Sequence, residues 1–154
     1  MPRKVFEKKS VMKGTVQQLW DFHAQPNAFG ILTPPPIFIQ MRENKLKSLT
    51  EGTVDFNMWL GPIPLHWIAQ HLPGPTPTSF MDRQLSGPMG FWEHQHIFRE
   101  VPEGVELTDH VTLEHKPGLA GLFSRLMFDG PPLQIFFFYR HLRTRMALKN
   151  MQKK

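Results

Sequence analysis

Gly-Pro pairs stand at positions 61–62, 74–75 and 87–88, an even interval of thirteen residues. This spacing constrains the fold more than any other feature of the chain. Proline has no N–H to give a sheet ladder, and glycine supplies the backbone freedom of a turn. Thirteen residues are one strand plus one turn, the repeat of an antiparallel meander. Between Ile37 and His115 the side chains alternate with period two, which predicts strands over 37–42, 52–60, 64–72, 78–85, 91–99 and 105–115.

The flanks read differently. Residues 4–12 carry the weak pattern of a first strand. Thr15 and Gln18 then have capping-box spacing, and Val16, Leu19, Trp20 and His23 recur at i, i+3, i+4, i+7, so a helix starts at Thr15 and ends before Pro26. A short second helix is expected over Asn27 to Leu32, before Pro34-Pro35-Pro36 forces an extended chain. Pro117 and Gly118 close the sheet, and the apolar, Gly-containing stretch 118–128 is expected to be a link suited to a lid. Gly130-Pro131-Pro132 opens a final helix with proline in its first turn. From Leu133 to Tyr139 this helix is apolar nearly all round and is expected to be covered on every side; after Arg140 it becomes basic and amphipathic. One strand, two short helices, a long antiparallel sheet and a C-terminal helix held against it make an α+β helix-grip layout, a single domain over 1–154.

Composition removes several function classes. The chain has no Cys, so disulfide frameworks, thiol nucleophiles, Fe–S clusters and cysteine-type zinc sites are out. The first fourteen residues hold no apolar signal-peptide core, and the longest apolar run is too short to cross a bilayer. A soluble cytoplasmic protein is expected. The net charge of +5 raises nucleic acid or anionic membrane as partners. Its basic residues gather at the two termini without an aromatic-basic recognition stretch, so no nucleic acid partner is expected. No nucleophile elbow, P-loop, GxGxxG or HExxH motif is present.

Polar residues on inward faces are the informative ones. Val105, Leu107, Asp109, Val111 and Leu113 share one face of the last strand, with Asp109 alone among apolar neighbours. Trp92, His94, His96 and Phe98 share a face of the strand before it, and Phe80, Asp82 and Gln84 one of the strand before that. Hairpin pairing then sets His96 opposite or diagonal to Asp109, and Asp82 opposite His94 or His96. Three readings of this carboxylate–imidazole ladder stand side by side: a satisfied network that pins strand register, the polar end of an apolar ligand pocket, or chemistry. For the last, His-x-His with an Asp can hold zinc, or a carboxylate-oriented His can act as a base. No metal and no cofactor are expected.

The series L-T-P-P (32–35), H-W-I-A-Q-H (66–71), F-M-D-R-Q-L-S-G-P (80–88), W-E-H-Q-H-I-F (92–98), L-T-D-H-V (107–111) and F-F-F-Y-R (136–140) resembles the SRPBCC superfamily of START and birch-pollen-allergen proteins. The resemblance spans nearly the whole chain and is nearest to a bacterial branch that also occurs fused to epimerase-like proteins. It implies a curved sheet wrapped round the C-terminal helix with a deep apolar cavity between them. Leu113, where that branch more often has Tyr, and the aromatic run Phe136–Tyr139 depart from its pattern. The implied function is binding of a hydrophobic small molecule or lipid, more a binding module than an enzyme. The alternative is a polyketide cyclase or dehydratase with a catalytic residue among His94, His96, Asp82 and Asp109. The expected cavity residues are Phe56, Trp59, Trp67, Phe80, Trp92, Phe98 and Phe136, with Asp82, His94, His96, Asp109 and Arg140 as polar contacts. Transient contact with an anionic membrane and an epimerase-like protein partner complete the expectations.

Overall fold

The computed structural model describes residues 3–153. β1 (Lys4–Met12) leads through α1 (Val16–His23) and α2 (Ala28–Ile31) to β2 (Phe38–Ser48). The hairpin series β3 (Glu51–Leu60), β4 (Ile63–Pro73), β5 (Ser79–Ser86), β6 (Phe91–Val101) and β7 (Gly104–Glu114) follows, and α3 (Gly118–Met127) and α4 (Gly130–Gln152) end the chain. All seven strands form one antiparallel sheet in the order β1-β7-β6-β5-β4-β3-β2. Each Gly-Pro pair lies between consecutive strands, and Gly61 takes the positive φ of +61° that favours glycine. The sheet curves round the long C-terminal helix, the helix-grip α+β arrangement.

Local chemistry explains where the elements begin. Thr15 Oγ1 accepts from the Gln18 backbone N–H at 3.1 Å and Gln18 Oε1 accepts from the Thr15 N–H at 3.0 Å, the reciprocal capping box. Asp129 caps α4 through the Gly130 N–H, ahead of Pro131 and Pro132 in its first turn. The inner face of α4 is Leu133, Phe137, Arg140, His141, Thr144 and Leu148, steps of three and four that bring each turn back to the sheet. Phe137 is fully buried against Phe6 and His94; burying such a ring contributes about 1.5–3 kcal/mol.

Three expectations need correction. β2 does not stop at Arg42 but continues to Ser48; it is an edge strand whose residues are mostly exposed on both faces, so no alternation marks its second half. The stretch 118–128 is not a loose link but the helix α3. It is pinned where His115 Nδ1 meets Ser124 Oγ at 2.8 Å, and a Cβ at Gly121 would overlap the Lys116 carbonyl oxygen. The apolar run of α4 is not covered all round: Ile135 and Phe138 are 64% and 60% exposed, and on α3 Leu119, Leu122 and Leu126 also face solvent. No described helix is long and apolar enough to cross a membrane.

Candidate ligand-binding site

Between the inner face of the sheet and α4 lies a cavity of about 480 Å³, within the usual range of small-molecule sites, about 300–1,000 Å³. Val54, Phe56 and Met58 of β3, Trp67 and Ala69 of β4 and Trp92 of β6 form its apolar floor. Phe29, Phe128, Leu133, Phe136 and Phe137 close it from the helical side. These positions line up because β3 and β4 alternate inward and outward in step, with Phe56 paired to Trp67 and their rings stacked at 6.1 Å.

One end of the cavity is polar. The backbone register sets Asp82 opposite His94 and His96 opposite Asp109. The shortest side-chain bonds run along the diagonals. His96 Nε2 donates to Asp82 Oδ2 at 2.8 Å, and His94 Nε2 donates to Asp109 Oδ1 at 2.6 Å. His94 Nδ1 stands 3.7 Å from Asp82 Oδ2, so the two rings, 3.7 Å apart, are held between two carboxylates. Phe80 stacks on His96 at 4.2 Å and nearly parallel. His96 Nδ1 is buried and has no hydrogen-bond partner among the described residues.

Burial and partners decide the charges. Burial would raise the carboxyl groups of Asp82 and Asp109, but the imidazoles bonded to them and beside them outweigh it and hold both well below the usual carboxylate range. Desolvation pushes His96 down to about 3, helped by His94 and opposed by the bond to Asp82, and pushes His23 down to about 4. Both are neutral imidazoles near pH 7. The guanidinium of Arg140 lines the same cavity and is 8% exposed. It has no hydrogen bond and no ion pair within 4.0 Å among the described residues; its neighbours are the rings of Phe136 and Phe137, 5.6 and 5.7 Å away. Desolvation lowers its pKa, while the more distant charges of Asp109 and Asp82 raise it.

Of the residues singled out in the sequence, Phe56, Trp67, Phe80, Asp82, Trp92, His94, His96, Phe136 and Arg140 line the cavity together. Trp59 does not. With Val54, Phe56 and Met58 inward, it falls on the outer face, stacked on Phe38 with its Nε1 donating to Gln40 at 2.9 Å. Phe98 is fully buried beneath the cavity against Phe80, Trp20 and His23. Asp109 also lies beneath it, bonded to His94 and 3.4 Å from Nδ1 of His96, the two cavity-lining rings above it. Gln84 holds the β5–β6 turn instead, with its amide bonded to the backbone N–H and carbonyl of Met89.

Two partners of the ladder lie outside the residues that sequence reasoning singles out. His141 Nε2 donates to Asp109 Oδ2 at 2.6 Å, and its Nδ1 is 2.6 Å from Ser10 Oγ on β1. Counting threes and fours along α4 from Leu133 and Phe137 places His141 on the buried face, so it carries a signal; Ser10 carries none. His23, on the apolar stripe of α1, completes the wall beside His96, with ring centres 5.8 Å apart. A second constellation, Ser124, His115 and Asp129, has the residue types of a nucleophilic triad. Ser124 is fully buried and its Oγ also donates to the Gly121 carbonyl, so no substrate can reach it; the group anchors α3 to the end of β7.

No family model matches the chain, and no curated protein matches it by sequence. Solved structures do. A nucleoside-diphosphate sugar epimerase from Corynebacterium glutamicum aligns with 96% of this chain at 26% identity and a TM-score of 0.69. The chain corresponds to 30% of that longer protein. The Zhui aromatase/cyclase from a Streptomyces species aligns over 99% of this chain and 94% of its own, at 14% identity and a TM-score of 0.64. Major latex-like protein 151 from Panax ginseng aligns over 95% and 97%, at 11% identity and a TM-score of 0.67. At such identities the last two likenesses are likenesses of fold, and the fold they share with this chain is the helix grip.

Proposed function

We propose that the protein binds a hydrophobic small molecule that carries one oxygen-bearing polar group, and that it does so without catalysing a reaction. The observation that carries this reading is Arg140, a residue 8% exposed whose guanidinium reaches the cavity and has no hydrogen-bond or ion-pair partner among the described residues, in an otherwise largely apolar cavity. A buried charge is costly unless it is paired, and a ligand oxygen at this end of the cavity supplies the missing acceptor. The aromatic wall of Phe56, Trp67, Trp92 and Phe136 suits the remaining apolar body. The helix-grip fold and the implied family resemblance support the same assignment.

Native mass spectrometry of the purified protein, compared with its denatured mass, tests the reading. An excess of organic-molecule size on the native protein is expected, and Arg140→Met is expected to lose it while keeping the wild-type circular dichroism. A native protein with no excess that also fails to bind a fluorescent fatty acid would overturn it.

A further inference from the structure

We infer that Asp82, His94 and His96 form a binding site for one divalent transition-metal ion at the polar end of the cavity. Each side chain offers one ligand atom, and these atoms lie within 4.8 Å of one another. Asp82 Oδ2 is 2.8 Å from His96 Nε2 and 3.7 Å from His94 Nδ1; two ligands on a tetrahedral zinc ion are about 3.3 Å apart, given bonds of about 2.0–2.1 Å. Small side-chain adjustments bring three donors onto one ion, and the cavity leaves its remaining position open.

The surroundings are those a metal centre needs. A ligating imidazole is held by a carboxylate on its other nitrogen, and His94 Nε2 already donates to Asp109 Oδ1 at 2.6 Å. Asp109 is itself fixed by His141 at 2.6 Å. His96 supplies the second observation. As it stands, its Nε2 proton is engaged by Asp82 and its buried Nδ1 has no partner among the described residues. An ion on Nε2 requires the neutral ring to carry its one proton on Nδ1 instead, which lies 3.4 Å from Asp109 Oδ1. The orphaned atom then becomes a donor, and one carboxylate orients both ligating rings. Charge agrees: two carboxylates and Arg140 sum to minus one, so a divalent ion leaves a single positive charge for the oxygen group of a ligand. The set of two imidazoles and one carboxylate suits zinc, iron(II) or cobalt(II) rather than calcium or magnesium. This site goes beyond the binding reading and does not depend on it.

The test is calorimetric titration of untagged, chelator-stripped protein with zinc chloride, repeated with cobalt(II) while recording its visible d–d absorption. One ion per chain and a tetrahedral or five-coordinate cobalt spectrum are expected. Asp109→Asn should weaken zinc about 10–100-fold as a second-sphere loss, and Asp82→Asn and His96→Gln should weaken it more. The surface double variant His66→Gln/His110→Gln should bind like wild type, since those rings pair with Asp55 and Glu7 elsewhere. No saturable binding, or binding that survives in the His94→Gln/His96→Gln protein or disappears in the surface variant, overturns the assignment. Should a buried variant fail to fold, the wild-type cobalt spectrum and the surface variant alone decide between these outcomes.

Discussion

Removing Asp109 has the consequence that the structure defines most sharply. The residue is 3% exposed, and its two oxygens take one proton each from His94 and His141, both at 2.6 Å. Asp109→Ala leaves two buried N–H donors without an acceptor, a penalty of about 1–3 kcal/mol each. It also removes a negative charge that offsets Arg140. Against this stands the relief of desolvation once no carboxylate is buried, so the net cost falls near the 3–5 kcal/mol typical of breaking a buried pair, about that magnitude here. For a chain of this size that is a fall in Tm of about 10–15 °C. Asp109→Asn behaves differently. The amide oxygen still accepts from His94, and the amide N–H₂ can donate to His141 Nε2 once that ring moves its proton to Nδ1 and donates to Ser10 Oγ instead. Its cost is expected at about 1–2 kcal/mol. Urea denaturation followed by tryptophan fluorescence, with coincident circular dichroism as the two-state check, measures both. A loss under about 1 kcal/mol for Asp109→Ala, or equal losses for the two variants, would refute the claim that two imidazoles depend on this carboxylate.

Acid should unfold the protein early. His96 and His23 are held neutral in the fold, at about 3 and about 4, against an ordinary value near 6.5. Below pH 6.5 the unfolded chain therefore binds more protons than the native one, and stability falls with pH until the folded values are reached. Denaturant titrations at pH 6 and pH 5 should differ by about 2 kcal/mol, given about 1.4 kcal/mol per unit for each fully shifted histidine; a flat profile would show that these rings protonate in place. We propose, from the exposed leucines of α3, the exposed Phe138 with Lys8 5.8 Å from its ring, and the basic residues of α4, that the protein docks on an anionic bilayer. Vesicles with anionic lipid should bind the protein at low salt and neutral vesicles should not, and Leu122→Asp should abolish the difference; equal binding to both would remove the membrane from the reading.

The sheet is legible in the sequence because its signals are local. Turn chemistry repeats at 61, 74 and 87, and the inward faces of 91–99 and 105–115 alternate cleanly, which is enough to bring Asp82, His94, His96 and Asp109 together. What escapes is whatever depends on a distant surface. The second half of β2 pairs on one edge and carries no face pattern. His141 and Ser10 meet beside Asp109 from a helix and a strand separated by 131 residues in sequence. An apolar run such as 133–139 shows that a helix has something to bury; how much of it the fold covers is set by how far the sheet curves, and Ile135 and Phe138 are left outside.

Most of the polar end is self-sufficient: Asp82 has His96, and Asp109 has His94 and His141. A network built to pin strands could stop there. Two groups exceed that requirement: the buried Nδ1 of His96, and the guanidinium of Arg140, which reaches the cavity; neither has a hydrogen-bond partner among the described residues. The enclosed Nδ1 of His96 costs about 1–3 kcal/mol as an unsatisfied buried group, in a fold whose whole stability is about 5–15 kcal/mol, and the Arg140 guanidinium is desolvated as well. Leucine or methionine at position 140 would fill the same space beside Phe136 and Phe137 without desolvating a charge. Natural sequences keep exceptions of this kind where a site needs them. Both exceptions belong to residues that border the cavity and feel the same two carboxylates. On the readings proposed above, a ligand oxygen at Arg140 and an ion at His96 would each remove one of them, so the unpaired groups are the features that a purely structural network leaves unexplained.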